Sequence, residues 1–187
     1  MKKKLLLLAI AAALSVYGAY ASDITGVTPN GNTFNIDPGF INGDVGYRKY
    51  DNFKLDQGDI ANLIYHGTKN GKERDINAFV NLVKNKVDIN GVLNTTRNGN
   101  FYNGHAIFIT PGGMAIGSSG VLNVGSLSVA TPSTSKYNQL TSEFDNKYVK
   151  NIAQVSKLKQ DSNAPIDVKG KILARSGVDL SGSAVYI

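Results

Sequence analysis

The chain has 187 residues, 42% of them hydrophobic, with 20 Lys and Arg against 14 Asp and Glu for a formal net charge of +6. Cysteine and tryptophan are absent, which excludes disulfide staples, cysteine catalysis and thiolate metal sites. Glycine and asparagine each occur 20 times, a composition suited to many tight turns rather than to long helices.

The N-terminus reads as an export signal. Lys2, Lys3 and Lys4 form a positive region, Leu5 to Val16 an apolar one, and Gly18-Ala-Tyr-Ala21 a small-x-small cleavage pattern before Ser22. The apolar run is shorter than the roughly 20 residues that span a bilayer, so a signal cleaved after Sec export is favoured over an anchor. Removing residues 1–21 leaves 187 − 21 = 166 residues, enough for one domain spanning 22–187, with 20 − 3 = 17 basic against 14 acidic residues. The mature charge of +3 that follows from 17 − 14 is too small to argue for a nucleic-acid partner.

Ser22 to Asp37 alternates turn residues with single apolar ones and reads as short strands or an extended cap. Asp37-Pro-Gly39 and Asn42-Gly43 are turn signals on either side of Phe40-Ile41. Gly46 to Leu55 places Tyr47, Phe53 and Leu55 on one side of a strand-like pattern, and Ile60 to Tyr65 follows as a second strand. Thr68 to Glu73 is a charged loop. Ile76, Phe79, Val80, Val83 and Val87 recur at three-four spacing behind Asp75, which predicts a helix over 76–86.

Strand grammar then dominates. Val87 to Leu93, Ala106 to Ile109, Met114 to Ile116, Val121 to Val124, Leu127 to Ala130, Ile166 to Leu173 and Gly177 to Leu180 are short apolar runs between Gly, Asn and Pro. Arg97 to Gly104 is a Gly/Asn loop. A second helix is predicted within 141–160 from Phe144, Tyr148, Ile152, Val155 and Leu158, capped by Thr141 or Ser142 with Glu143 in its first turn. The strand unit, apolar-x-apolar, Gly or Asn, then apolar again, fits a parallel β-helix whose rungs stack. An antiparallel sandwich gives similar strings but favours two-residue Asn-Gly hairpins, for which Asn42-Gly43 and Asn90-Gly91 are candidates.

Ile109-Thr-Pro-Gly-Gly-Met-Ala-Ile-Gly117, followed by Val121-Leu-Asn-Val-Gly-Ser-Leu-Ser-Val-Ala-Thr131, resembles the two-partner secretion domain of filamentous-haemagglutinin-like exoproteins. Gly46 to Leu55 with Gly58 and Ala61-Asn-Leu63 looks like that family's first block, and Ile89-Asn-Gly-Val-Leu93 is similar to the strand before its second. The blocks keep the family's order over residues 46–131. Thr110 and Gly112 stand where the family has Asn, and the 76–86 helix suggests a divergent, leukotoxin-like branch.

The resemblance implies an all-β, right-handed parallel β-helix, a single-stranded solenoid with an N-terminal cap, extra-helical hairpins and short helical insertions. It implies an export address on an adhesin, haemagglutinin or cytolysin passenger of a two-membrane bacterium. The periplasmic partner would be an outer-membrane β-barrel transporter with POTRA domains, and the surface partner a host-cell receptor. Coil-by-coil burial outside the pore would bias movement outward. Two alternatives stand beside it: a secreted β-helical polysaccharide-acting enzyme and a self-contained cell-surface binding module.

Thr110, Pro111, Gly112 and Gly113 are a candidate transporter-recognition motif or a type II turn with Pro111 and Gly112 at its centre, and Asn62 joins them as a candidate. Asn62 and Asn123 suit stacked amides inside the coils or a surface position equally well. His66 and His105 lack neighbours at ligand spacing, and Asp51, Asp56 and Asp59 lack a calcium-loop pattern, so no metal, cofactor or catalytic residue is assigned. Arg48 beside that trio is the one polysaccharide-lyase candidate. Tyr47, Tyr50 and Phe53 read as core or cap aromatics ahead of an exposed docking patch. Ala184 to Ile187 ends in an apolar strand, as expected of a longer passenger with an open edge that favours association.

Overall fold

A computed structural model describes residues 21–145, 158 and 161–187; the predicted export signal, apart from Ala21, lies outside them. The fold is all-β, built from curled mixed sheets with one described α-helix. Its logic is a set of three strand columns that the chain visits in repeating order.

The first column holds β5 (Phe53–Leu55), β10 (Val87–Ile89), β14 (Met114–Ile116), β16 (Ile166–Val168) and β18 (Val185–Tyr186), each parallel to the next. The second holds β2 (Thr33–Ile36), β6 (Ile60–Ile64), β11 (Val92–Arg97) and the first halves of β15 (Val121–Ala130) and β17 (Lys171–Ser181). The third holds β4 (Val45–Tyr50), β9 (Ala78–Val83), β13 (His105–Ile109) and the second halves of β15 and β17. Equivalent residues stack in register, as in Phe53, Val87, Met114 and Ile166. From residue 87 onward every described pairing is parallel except one short hairpin and a single antiparallel bridge between Pro132 and Ser162, so the oppositely running ribbons of a sandwich do not form there.

Alternation explains the core. Along β10 and β11, Val87, Ile89, Leu93 and Thr95 point inward and are fully buried, while Asp88 and Asn94 face outward. Each buried aliphatic side chain contributes about 1.5–3 kcal/mol relative to exposure. Aromatic rings run through the interior, with Tyr50 to Phe53 and Phe53 to Phe108 both edge-to-face at 5.3 Å.

The predicted helix over 76–86 is instead β9, and all six of its residues are buried. Phe79 and Val83 face the main core, whereas Ala78, Val80 and Leu82 face a second one. A strand buried on both faces reads as a continuous apolar run, and such a run imitates helical spacing. The same geometry separates Tyr47, which joins the second core, from Phe53 and Leu55. Asn81, fully buried between them, donates to the carbonyls of Phe79 and Ile107 and accepts from the Tyr50 hydroxyl.

The second core is roofed by α1 (Thr134–Asp145) through Tyr137 and Leu140. Its start lies earlier than Thr141 because Ser133 is the N-cap: the Ser133 hydroxyl accepts from the Lys136 amide at 3.4 Å and donates to Asp161. Of the helix predicted within 141–160, the part beyond Asp145 lies outside the described residues, apart from Leu158.

Excursions leave this stack as hairpins. β1 (Asp23–Ile24) caps β5 antiparallel, and β3 (Phe40–Asn42) folds onto β4 in a hairpin whose two-residue turn is Gly43-Asp44, one residue beyond the Asn42-Gly43 candidate. The charged loop at 68–73 is a hairpin of β7 (His66–Lys69) and β8 (Lys72–Asp75), and the Gly/Asn loop is one of β11 and β12 (Asn100–Phe101). Asn90-Gly91 is a corner between columns, both amides donating to the Leu55 carbonyl. At the last rung, Leu173, Val178, Val185, Tyr186 and Ile187 are exposed.

Candidate functional site

Column two carries the most organised polar feature. Asn35, Asn62, Asn94 and Asn123 occupy the same register position on β2, β6, β11 and β15. Their inward neighbours Phe34, Ala61, Leu93 and Leu122 are buried, so alternation turns the four amides outward. The Asn62 amide donates to Asn35 Oδ1 at 3.0 Å, Asn94 to Asn62 at 3.1 Å and Asn123 to Asn94 at 3.4 Å. All three bonds run the same way along the stack.

This ladder floors a groove of about 510 Å³. Ile64 and Thr96 extend the floor, and the β11–β12 hairpin forms a wall through Asn98, Gly99 and Phe101. The Arg175 guanidinium lies 3.9 Å from the Phe101 ring centre and steadies it. None of the residues lining the groove is ionisable.

Of the residues proposed for recognition, Asn62 belongs to this groove, while Thr110 to Gly113 belong to a corner between the third and first columns. Thr110 and Pro111 are buried, and Gly112 is exposed. The Thr110 hydroxyl donates to the Asn85 carbonyl of the preceding rung. The left-handed residue is Gly113, with φ 83°, rather than Gly112, so the turn is not the type II form expected. Gly112 is needed for another reason: a Cβ there would lie 2.7 Å from the Lys86 amide nitrogen. Thr131-Pro132 occupies the next rung's equivalent corner, and its hydroxyl donates to the Ala164 carbonyl at 2.7 Å. Thr-Pro follows both β13 and β15, a recurrence legible in the sequence.

The remaining candidates act as ties. His66 Nδ1 lies 3.0 Å from Asp75 Oδ1 across the base of the β7–β8 hairpin. That bond, aided by Arg97 at 3.5 Å and partly offset by desolvation, holds the Asp75 carboxyl below its ordinary value. His105 Nε2 lies 2.8 Å from the Ser128 hydroxyl, and burial pushes its imidazole below the usual 6.5. Desolvation, with Asp44 adding to it, raises the Tyr47 phenol to about 12. Asp59 accepts from Ser22, Asp56 pairs with Lys54 at 3.1 Å, and Asp51 lies 3.9 Å from Lys84, so the trio is dispersed among separate partners. Arg48 is occupied by the carbonyls of Asp37 and Gly26. Among the described residues no group of three His, Cys, Asp or Glu could hold a metal ion.

No family model matches the chain, and comparisons with curated proteins and with solved structures found no match either.

Proposed function

We propose that the chain is the N-terminal secretion-targeting domain of a two-partner-secreted adhesin or haemagglutinin-like exoprotein, folded as a right-handed parallel β-helix; the leukotoxin-like branch loses its support, because the 76–86 helix that suggested it is strand β9. The observation that carries this reading is the repeating visit to three parallel columns, with Thr-Pro corners at Thr110 and Thr131. Parallel crossovers are right-handed in nearly all sheets, which supports the handedness. The sequence blocks that resemble the family fall in chain order along this stack: Gly46 to Leu55 on β4 and β5, Ile109 to Gly117 on the corner and β14, Val121 to Thr131 on β15.

A stack of this kind suits export in an extended state. No cysteine is present to form a disulfide that would block threading. Each rung can close its hydrogen bonds on the one before it, which releases free energy outside the membrane as the chain emerges. The partner is an outer-membrane β-barrel with periplasmic POTRA domains, and no catalytic role is assigned.

The test is export of residues 1–187 fused to a reporter, in a two-membrane host with and without the two-partner transporter from the same genome. Reporter in the medium only when the transporter is present supports the proposal. Equal export without it, or retention in both strains, overturns it.

A further inference from the structure

We infer that the amide groove on column two binds a neutral glycan chain. An asparagine amide has two N–H donors and an oxygen with two lone pairs, and the ladder bonds engage one donor and one lone pair of each central residue. Asn62 and Asn94 therefore each offer a second donor and a second acceptor in the same orientation. Strand spacing sets neighbouring amides about 4.8 Å apart. Vicinal hydroxyls on a pyranose ring are donor–acceptor pairs and match such a row.

The groove supplies the other half of sugar recognition. Phe101 borders it as an aromatic wall and Ile64 adds an apolar patch, both suited to the C–H faces of a pyranose ring. Arg175 packs over Phe101, so the wall is held before a ligand arrives. No ionisable side chain lines the groove, and the nearby Arg175 guanidinium is engaged on the Phe101 ring, so the lining favours a neutral ligand over a sulfated or uronic one. A volume of about 510 Å³ accommodates a few sugar units rather than a polymer end alone.

This site is independent of the export proposal, because its test uses purified protein and no transporter. Residues 22–187 are titrated with cellohexaose, chitohexaose and mannohexaose by calorimetry, with a heparin oligosaccharide as the acidic comparison. Binding of at least one neutral hexaose, with affinity unchanged between low and high salt, is expected. Phe101→Ala should weaken it about tenfold or more, which is 1.4 kcal/mol. Asn94→Leu should abolish it, and a circular dichroism melt checks that each variant is folded. If Asn94→Leu does not fold, Phe101→Ala alone decides. Failure of all three neutral sugars to bind at millimolar concentration overturns the inference, as does preference for heparin or undiminished binding by folded Phe101→Ala.

Discussion

One rung corner and two hairpin tips are built from the same dipeptide and use it in opposite ways. At Asn70-Gly71 and Asn98-Gly99 both residues are left-handed, with φ 52° and 74° in each pair, as a two-residue hairpin turn requires. At Asn90-Gly91 neither residue is left-handed. There the glycine allows rungs to approach: a Cβ on Gly91 would lie 2.4 Å from the Asp59 carbonyl oxygen, while one on Gly99 would meet nothing within 4 Å. One set of glycines serves backbone conformation, the other serves proximity. The second set holds the stack together.

Alanine at the two kinds of position should therefore separate them. Gly91→Ala should cost about 3 kcal/mol or more, because the clash is with backbone that neighbouring rungs hold in place. Urea denaturation measures it, and a midpoint like that of the parent chain would break the distinction. Gly99→Ala should cost about 1 kcal/mol, the ordinary strain of a side chain in a left-handed turn. A loss at Gly99 equal to that at Gly91 would show that the hairpin is coupled to the rungs more tightly than its contacts suggest.

The smallest effect is a pH dependence confined to the stack. The His105 imidazole is lowered by burial, so the unfolded chain takes up its proton more readily than the folded one. Its share of stability is intact above the ordinary histidine value and declines as pH falls below it towards the folded value. Thermal melts from about pH 7.5 to about pH 5 should show that decline, and His105→Gln should flatten it. An unchanged slope in His105→Gln would move the titration to another group.

Strands were legible wherever apolar residues alternated or ran together, as at Ala106 to Ile109, because burial dictates them locally. Their pairing was blurred. Phe53, Val87, Met114 and Ile166 stack directly, yet unequal excursions separate them along the chain. β9 was misread because a strand buried on both faces has no polar side to mark its period.

At the groove, Asn62 and Asn123 stood out alone, although Thr33-Phe-Asn35, Ile60-Ala-Asn62, Val92-Leu-Asn94 and Val121-Leu-Asn123 share one pattern. Aligning those four triplets would have recovered the register of column two. Phe101 was beyond reach, since only the hairpin's fold brings it over the ladder.

The long segment between β15 and β16, which carries α1, returns the chain to the position above Met114 as closely as shorter connections do. Closing a flexible loop costs only about 0.6 kcal/mol more for each doubling of its length. Connector length is therefore nearly invisible to selection on folding in this architecture. Drift should accumulate as insertions and deletions between rungs while inward-facing positions stay fixed. Evolutionary comparison of such chains is better made by matching stacked positions than by counting along the backbone.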